Sequence, residues 1–163
     1  MKTQIEIPPK EPIIVMSRTY DAPQDLLWRV MTDPAHVAKW WGGAGATNVI
    51  SQMDVRPGGL WTHLMTFAGG GEVQMNFIFV EVEKPSRLSW QHTDYSTRKS
   101  GPPPIYVTVT LDPLDKERTK WTMVARFPTL AGRDLSVEHG FTTPIAASSD
   151  LLVDYLKTAQ ATS

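Results

Sequence analysis

The chain has no cysteine, no long apolar run and no excess of charge of either sign. Without cysteine, its 163 residues cannot form a disulfide, a thiolate metal site or a Cys nucleophile, which fits a reducing compartment. Sixteen basic residues against seventeen acidic ones leave a net charge of −1. That balance removes the electrostatic footprint of a nucleic-acid or anionic-membrane binder, so no nucleic-acid partner is expected. No apolar stretch approaches the roughly eighteen residues of a membrane span, and no membrane insertion is expected. The first ten residues lack the apolar segment of a secretory signal, so the expected location is cytoplasmic.

Catalytic signatures are also missing. The four histidines show neither H-x-x-x-H nor H-E-x-x-H spacing, so no metal site is expected. No G-x-S-x-G nucleophile elbow occurs. The glycine clusters at 42–45 and 69–71 lack the Walker Lys-Ser/Thr and the Rossmann context; they read as loops, and no cofactor is expected.

What is present is proline and tryptophan. Thirteen Pro punctuate the chain, and six Trp are a large apolar surface for one domain to hide. A domain of this length buries about 70% of its unfolded surface, so the core needs no staples. Residues 1–12, broken by Pro8, Pro9 and Pro12, read as an extended arm, loosely held, ahead of a single domain over 13–160. Ile13 to Tyr20 reads as a strand. Two short helices follow, one opened by Asp21-Ala22-Pro23 with Asp21 as N-cap, the other by Thr32-Asp33-Pro34.

From Thr47 to Phe127 the chain alternates strands with turn chemistry. The predicted strands are 47–55, 60–67, 73–83, 87–93, 106–112 and 119–127. Their short spacing implies antiparallel hairpins and a meander. From Leu135 to Ala159 apolar residues recur at helical spacing, interrupted by Pro144. The preferred reading is one long helix kinked at Pro144; the other is a helix beginning there, capped by Thr143. The fold class is thus α+β: a curved antiparallel sheet of about seven strands, ordered β-α-α-β6-α, wrapped around a long C-terminal helix.

Four separated segments resemble one family in order and spacing. They are Asp21-Ala22-Pro23 through Asp33-Pro34 to Trp40-Trp41, Asp54 to Trp61, Glu81 to Leu88, and Gly140-Phe141 with Leu151-Leu152 and Tyr155-Leu156. Together they look like the "activator of Hsp90 ATPase homologue 1-like" domain of the START-like, or Bet v 1-like (SRPBCC), superfamily. The resemblance covers nearly all of the chain after residue 12 and implies the helix-grip fold. It implies binding of hydrophobic small molecules, with some relatives catalysing chemistry such as polyketide aromatisation in the cavity. One eukaryotic branch stimulates Hsp90 through a separate N-terminal domain for which 163 residues leave no room, so an Hsp90 interaction is not expected.

Strand alternation supplies the candidate site. Trp61, His63, Met65 and Phe67 share one face of their strand; Val73, Met75, Phe77 and Phe79 share another. Leu88, Trp90, His92 and Asp94 line up on the next, and Trp121, Met123, Ala125 and Phe127 on the last. Facing inward, these rows make an aromatic, Met-rich wall with few polar points, as small-ligand pockets have. Tyr106 is a further polar candidate and Phe141 a wall residue from the C-terminal segment. The alternative is a filled core with satisfied histidines.

Three functions follow. The first is binding of a hydrophobic or aromatic small molecule between sheet and helix. The second is a cavity enzyme, cyclase- or hydrolase-like, with His63 or His92 as general acid–base. The third is a partner-binding module, chaperone-linked or a homodimer built on a sheet edge or the helical pair. Trp40-Trp41 read as either a ligand cap or an anchor for the helices. The Asp54–Gly59 turn reads as an anion grip through Arg56, or as hairpin chemistry with a local Asp54–Arg56 pair.

Overall fold

A computed structural model describes residues 3–42, 45–67, 69–92, 105–138 and 140–161. Eight strands form one antiparallel sheet: β1 (Gln4–Glu6), β2 (Ile13–Tyr20), β3 (Thr47–Met53), β4 (Leu60–Thr66), β5 (Glu72–Glu83), β6 (Arg87–His92), β7 (Tyr106–Pro113) and β8 (Thr119–Arg126). Helices α1 (Gln24–Thr32) and α2 (Pro34–Trp40) interrupt it after β2; α3 (Leu130–Glu138) and α4 (Thr142–Ala161) end the chain. The strand order is β1-β2-β8-β7-β6-β5-β4-β3. β3 to β8 are a meander, and β2 closes on its far side by pairing Ile13–Tyr20 against Arg126–Thr119. α4 lies over the inward face, so the architecture is the expected helix grip.

The inward face follows the period of two. Trp61, His63 and Met65 are buried on β4, Val107, Val109 and Leu111 on β7, and Trp121, Met123 and Ala125 on β8. Two bulges move the phase by one residue. The register slips between Ile50 and Gln52 on β3 and between Phe79 and Glu81 on β5. Beyond them Met53 and Val82, rather than residues of the earlier parity, pack on the core.

The arm holds one additional strand. β1 pairs with β2 in register Gln4↔Ser17, Ile5↔Met16 and Glu6↔Val15. Residues 8 and 11 are tied as well: the Arg133 guanidinium, 4% exposed, donates to the carbonyls of Pro8 and Glu11. A buried cation held by backbone carbonyls thus joins α3 to the arm. The expected loose hold is corrected to a strand and two charge-assisted bonds.

Two helix boundaries also differ from expectation. α1 has Pro23, at φ −63 and ψ 150, as its N-cap with no side-chain cap, so Asp21 does not cap it. Asp33 does cap α2, its carboxylate accepting from the Ala35 amide at 2.9 Å. The C-terminal segment is two helices, and the break falls at Gly140 rather than Pro144. Gly140 has φ +84, its amide donates to Val137 O, and the Phe141 amide donates to Ser136 O. This is the paired bonding of a Schellman stop, which only a residue tolerant of positive φ completes. Pro144 lies in the first turn of α4, where its missing N–H costs nothing, and Thr143 lies inside the same turn. No helix among the described residues is long and apolar enough to cross a membrane.

The turn between β3 and β4 follows the hairpin reading. Arg56 Nε donates to Asp54 Oδ2 at 2.5 Å in the open, and the turn is stitched to β5 by Gly58 N to Phe79 O and Phe79 N to Gly59 O. Its two glycines answer different demands. Gly58 sits at φ +84 with open space around it, whereas a Cβ on Gly59 would lie 1.9 Å from the Asp54 carbonyl oxygen. Gly58→Ala should therefore lose about 1–2 kcal/mol, the left-handed penalty alone. Gly59→Ala should lose roughly 3 kcal/mol because the backbone itself must move. Urea denaturation of the two variants measures this, and equal losses would contradict the turn geometry.

Candidate functional site

Between the sheet and α4 lies a cavity of about 210 Å³. Five of the six tryptophans are on its wall: Trp40 and Trp41 from the end of α2, and Trp61, Trp90 and Trp121 from three strands. The sixth, Trp28, is buried in α1 among the helix-packing residues. The rings interlock edge to face. Trp61 is 4.8 Å from Trp41, 4.9 Å from Phe77 and 5.5 Å from Trp90, centroid to centroid. Such contacts favour one arrangement over a fluid core, which keeps the wall rigid.

Most of the residues expected from alternation meet here. Trp61, Met65, Met75, Phe77, Trp90 and His92 line the cavity, as do Trp121, Met123 and Phe141. Phe67, Phe79, Ala125 and Phe127 of the same rows do not, nor do two of the polar candidates. His63 faces inward and is 1% exposed, but it lies behind the wall, packed 5.3 Å from Trp61, 5.6 Å from Phe77 and 5.9 Å from Trp41. Tyr106 is turned to the opposite side of the sheet, because Val107 and Val109 occupy the inward parity of β7; its hydroxyl meets Ser89 Oγ at 2.9 Å. Asp94, His139 and the Pro102–Pro104 loop fall outside the described residues.

The lining also includes residues that alternation arguments passed over. Tyr20 shares the parity of Ile14 and Met16 on β2, and Val107 and Val109 follow the same rule on β7. From α4 come Ile145, Ser148, Ser149 and Leu152. This set has i, i+3, i+4, i+7 spacing, so the helical stripe was legible. Its signal was the two serines: small side chains in the middle of an apolar stripe leave the volume that a Leu would fill.

The polar groups divide into satisfied and orphaned. Ser148 Oγ donates to Pro144 O at 2.8 Å and accepts from the Gly42 amide at 2.7 Å. Ser149 Oγ donates to Ile145 O, and Tyr20 Oη donates to Ser149 O at 3.2 Å. Burial pushes the Tyr20 phenol up to about 12, so it stays a neutral donor. Trp40 Nε1 donates to Val30 O at 3.0 Å. Trp61 Nε1, Trp90 Nε1 and both ring nitrogens of His63 are buried and have no partner among the described residues.

Desolvation pushes His63 down to about 4. It does the same to His92, with a smaller push from the neighbouring His63. Both imidazoles are neutral at neutral pH, and a base that weak is poorly matched to proton transfer there. No carboxylate, Lys or Arg lines the cavity among the described residues. Nor do three or more of the described His, Asp and Glu residues gather as a metal site would require. The arrangement suits holding an uncharged molecule.

The two histidines set a pH dependence. In the fold they take a proton near pH 4; unfolded they take it near 6.5. The unfolded state therefore binds more protons between those values. This contribution to stability is full above pH 6.5 and falls as pH drops towards 4, by up to ~3 kcal/mol per histidine. His63→Leu should keep or gain stability at pH 7, since neither imidazole nitrogen has a partner to lose. It should also flatten the stability–pH slope between pH 6 and 4.5 by about 1.4 kcal/mol per pH unit. Urea melts across that range check both; an unchanged slope would contradict the burial of His63.

Comparisons with known proteins agree with this architecture. The family model described as activator of Hsp90 ATPase homolog 1-like protein matches residues 21–157. Protein NE0264 from Nitrosomonas europaea superposes with a TM-score of 0.79 at 27% identity, over 93% of this chain and 98% of that one. Protein Ms6760 from Mycobacterium smegmatis gives a TM-score of 0.84 at 19% identity, over 98% and 99% of the two chains. The AHSA1 protein SPO3351 from Silicibacter pomeroyi gives 0.68 at 18% identity, over 90% and 99%. No functionally curated protein matches the chain. With a family model spanning both the helical pair and α4, on a fold shared with these structures, the chain belongs to the activator of Hsp90 ATPase homologue 1-like family.

Proposed function

We propose that this protein binds a hydrophobic small molecule in the cavity between the sheet and α4. The observation that carries the reading is the cavity itself: about 210 Å³, walled by five tryptophans and without an ionised side chain among the described residues. A core needs no such space, because packing to native density would be more stable by roughly 1 kcal/mol per missing methyl-sized volume. An apolar cavity of about 150 Å³ already takes benzene, so a ligand here has roughly ten non-hydrogen atoms. At about 0.4–0.8 kcal/mol per atom, within the usual ceiling, ten atoms supply about 4–8 kcal/mol, a Kd of about millimolar to micromolar.

The wall makes tryptophan fluorescence a direct reporter. Titration with naphthalene, ten carbon atoms and no polar group, should quench it saturably with one site per chain. Val109→Phe from the sheet side and Ile145→Trp from the helix side place new volume in the same space; both residues line it. Each should weaken naphthalene binding at least about tenfold while leaving circular dichroism unchanged. Absence of saturable quenching in the wild-type protein, or filling variants that bind as well as it does, would overturn the reading.

A further inference from the structure

The cavity wall is not equally buried along its length, and the difference has a direction. Trp41, Met75, His92, Phe141, Pro144 and Ile145 line the cavity yet are half-buried or exposed. Register and ring contacts bring them to one end. Phe77 on β5 is opposite His92 on β6, and Met75 lies two residues further towards that end of the sheet. Met75 is itself opposite His63, whose ring is 5.9 Å from Trp41. β8 ends on the same side, since Arg126 is opposite Tyr106 and Tyr106 opposite Gln91. Phe127, just beyond β8, is 5.3 Å from Phe141, so the first turn of α4 with Pro144 and Ile145 lies over this end. The only other lining residues not buried are Gly42, next to Trp41, and Met31 of α1; neither side chain has a strong hydrogen-bonding atom.

The opposite end is closed. Leu88, Val109, Trp121 and Leu152 line it and are no more than 5% exposed. Leu88 is four strand residues back from His92, about 13 Å, and Leu152 is seven helix residues on from Ile145, about 10 Å. The cavity is thus a blind pocket, with a mouth at His92 and Ile145 and an apolar floor. No Lys, Arg, Asp or Glu lines it among the described residues. A charge carried to the floor would be buried without a counter-charge, whereas the same charge at the mouth stays in water. We propose that the ligand is a one-ended amphiphile: an apolar ring system of roughly ten atoms on the floor, and a single polar or charged group projecting past His92 and Ile145. The proposal rests on the binding reading above and gives the bound molecule a direction and a class.

The test compares naphthalene, 2-naphthoate and 2,6-naphthalenedicarboxylate on the wild-type protein at pH 7, by tryptophan fluorescence. The three share one ring system and carry no, one and two charged ends. 2-Naphthoate can leave its carboxylate at the mouth and should bind within about tenfold of naphthalene. The dicarboxylate must take one charge to the floor and should bind at least about a hundredfold more weakly than 2-naphthoate. In the 2-naphthoate complex, ring protons beside the carboxylate should show NOEs to His92 and Phe141. Protons of the far ring should show them to the Leu88 and Leu152 methyls. A dicarboxylate that binds as well as 2-naphthoate, a 2-naphthoate that binds as poorly as the dicarboxylate, or reversed NOEs would overturn the amphiphile proposal while leaving the cavity reading in place. Failure of naphthalene itself to bind would overturn the two together.

Discussion

The height of α4 above the sheet is the constraint on which the rest depends. If the helix sat lower, the inward rings would meet it and the cavity would close; if it sat higher, the core would flood. That height is set by polar ties on three consecutive residues within one turn of the helix. The Gly42 amide meets Ser148 Oγ, Tyr20 Oη meets the Ser149 carbonyl, and Arg18 reaches Asp150. Gly42 is part of the device. It has φ +86, a conformation that favours glycine, and in it the Gly42 amide points at Ser148 Oγ on α4. The helix is therefore held at its distance by hydrogen bonds, while Leu152 and Leu156 bury against the core as an ordinary apolar face would.

The electrostatics of the interior are consistent with that geometry. Apolar walls desolvate whatever titrates near them, so Tyr20 is kept protonated and His63 and His92 unprotonated. The result is a cavity wall with no ionised side chain among the described residues, within a protein of net charge −1. The unmet polar atoms around the cavity wall are the indole nitrogens of Trp61 and Trp90 and both ring nitrogens of His63, all uncharged at neutral pH. Such surroundings suit an uncharged occupant better than acid–base chemistry at neutral pH.

Much of the wall was legible in the chain because a strand's side chains alternate with period two whatever the sheet does. Trp61, Phe77, Trp90 and Trp121 were placed inward on that rule alone. The rule also held for Val107 and Val109, and it turns Tyr106 outward. It did not reveal the bulges at Ser51 and Val80, which exist to bend the sheet and leave no residue signature of their own. In the C-terminal segment two helix breakers competed. Pro144 was the louder, but a proline is harmless in a first turn, and Gly140, able to take positive φ, ended the helix instead.

The sequence by itself determined the class of fold, the inward rows, the helix start at Asp33-Pro34 and the absence of cysteine. Each of these depends on near neighbours in the chain or on composition. Only the tertiary structure decided how deep each inward residue lies. His63 and His92 are alike in the sequence, yet one is sealed behind Trp61 and Phe77 while the other is on the cavity wall. It also decided which indoles find a carbonyl, that the first residues pair with β2, and that space remains beneath α4. The empty volume depends on elements far apart in the chain meeting at a set distance, as Gly42 and Ser148 do across 106 residues, and depth and partner depend on packing in three dimensions that no local pattern carries.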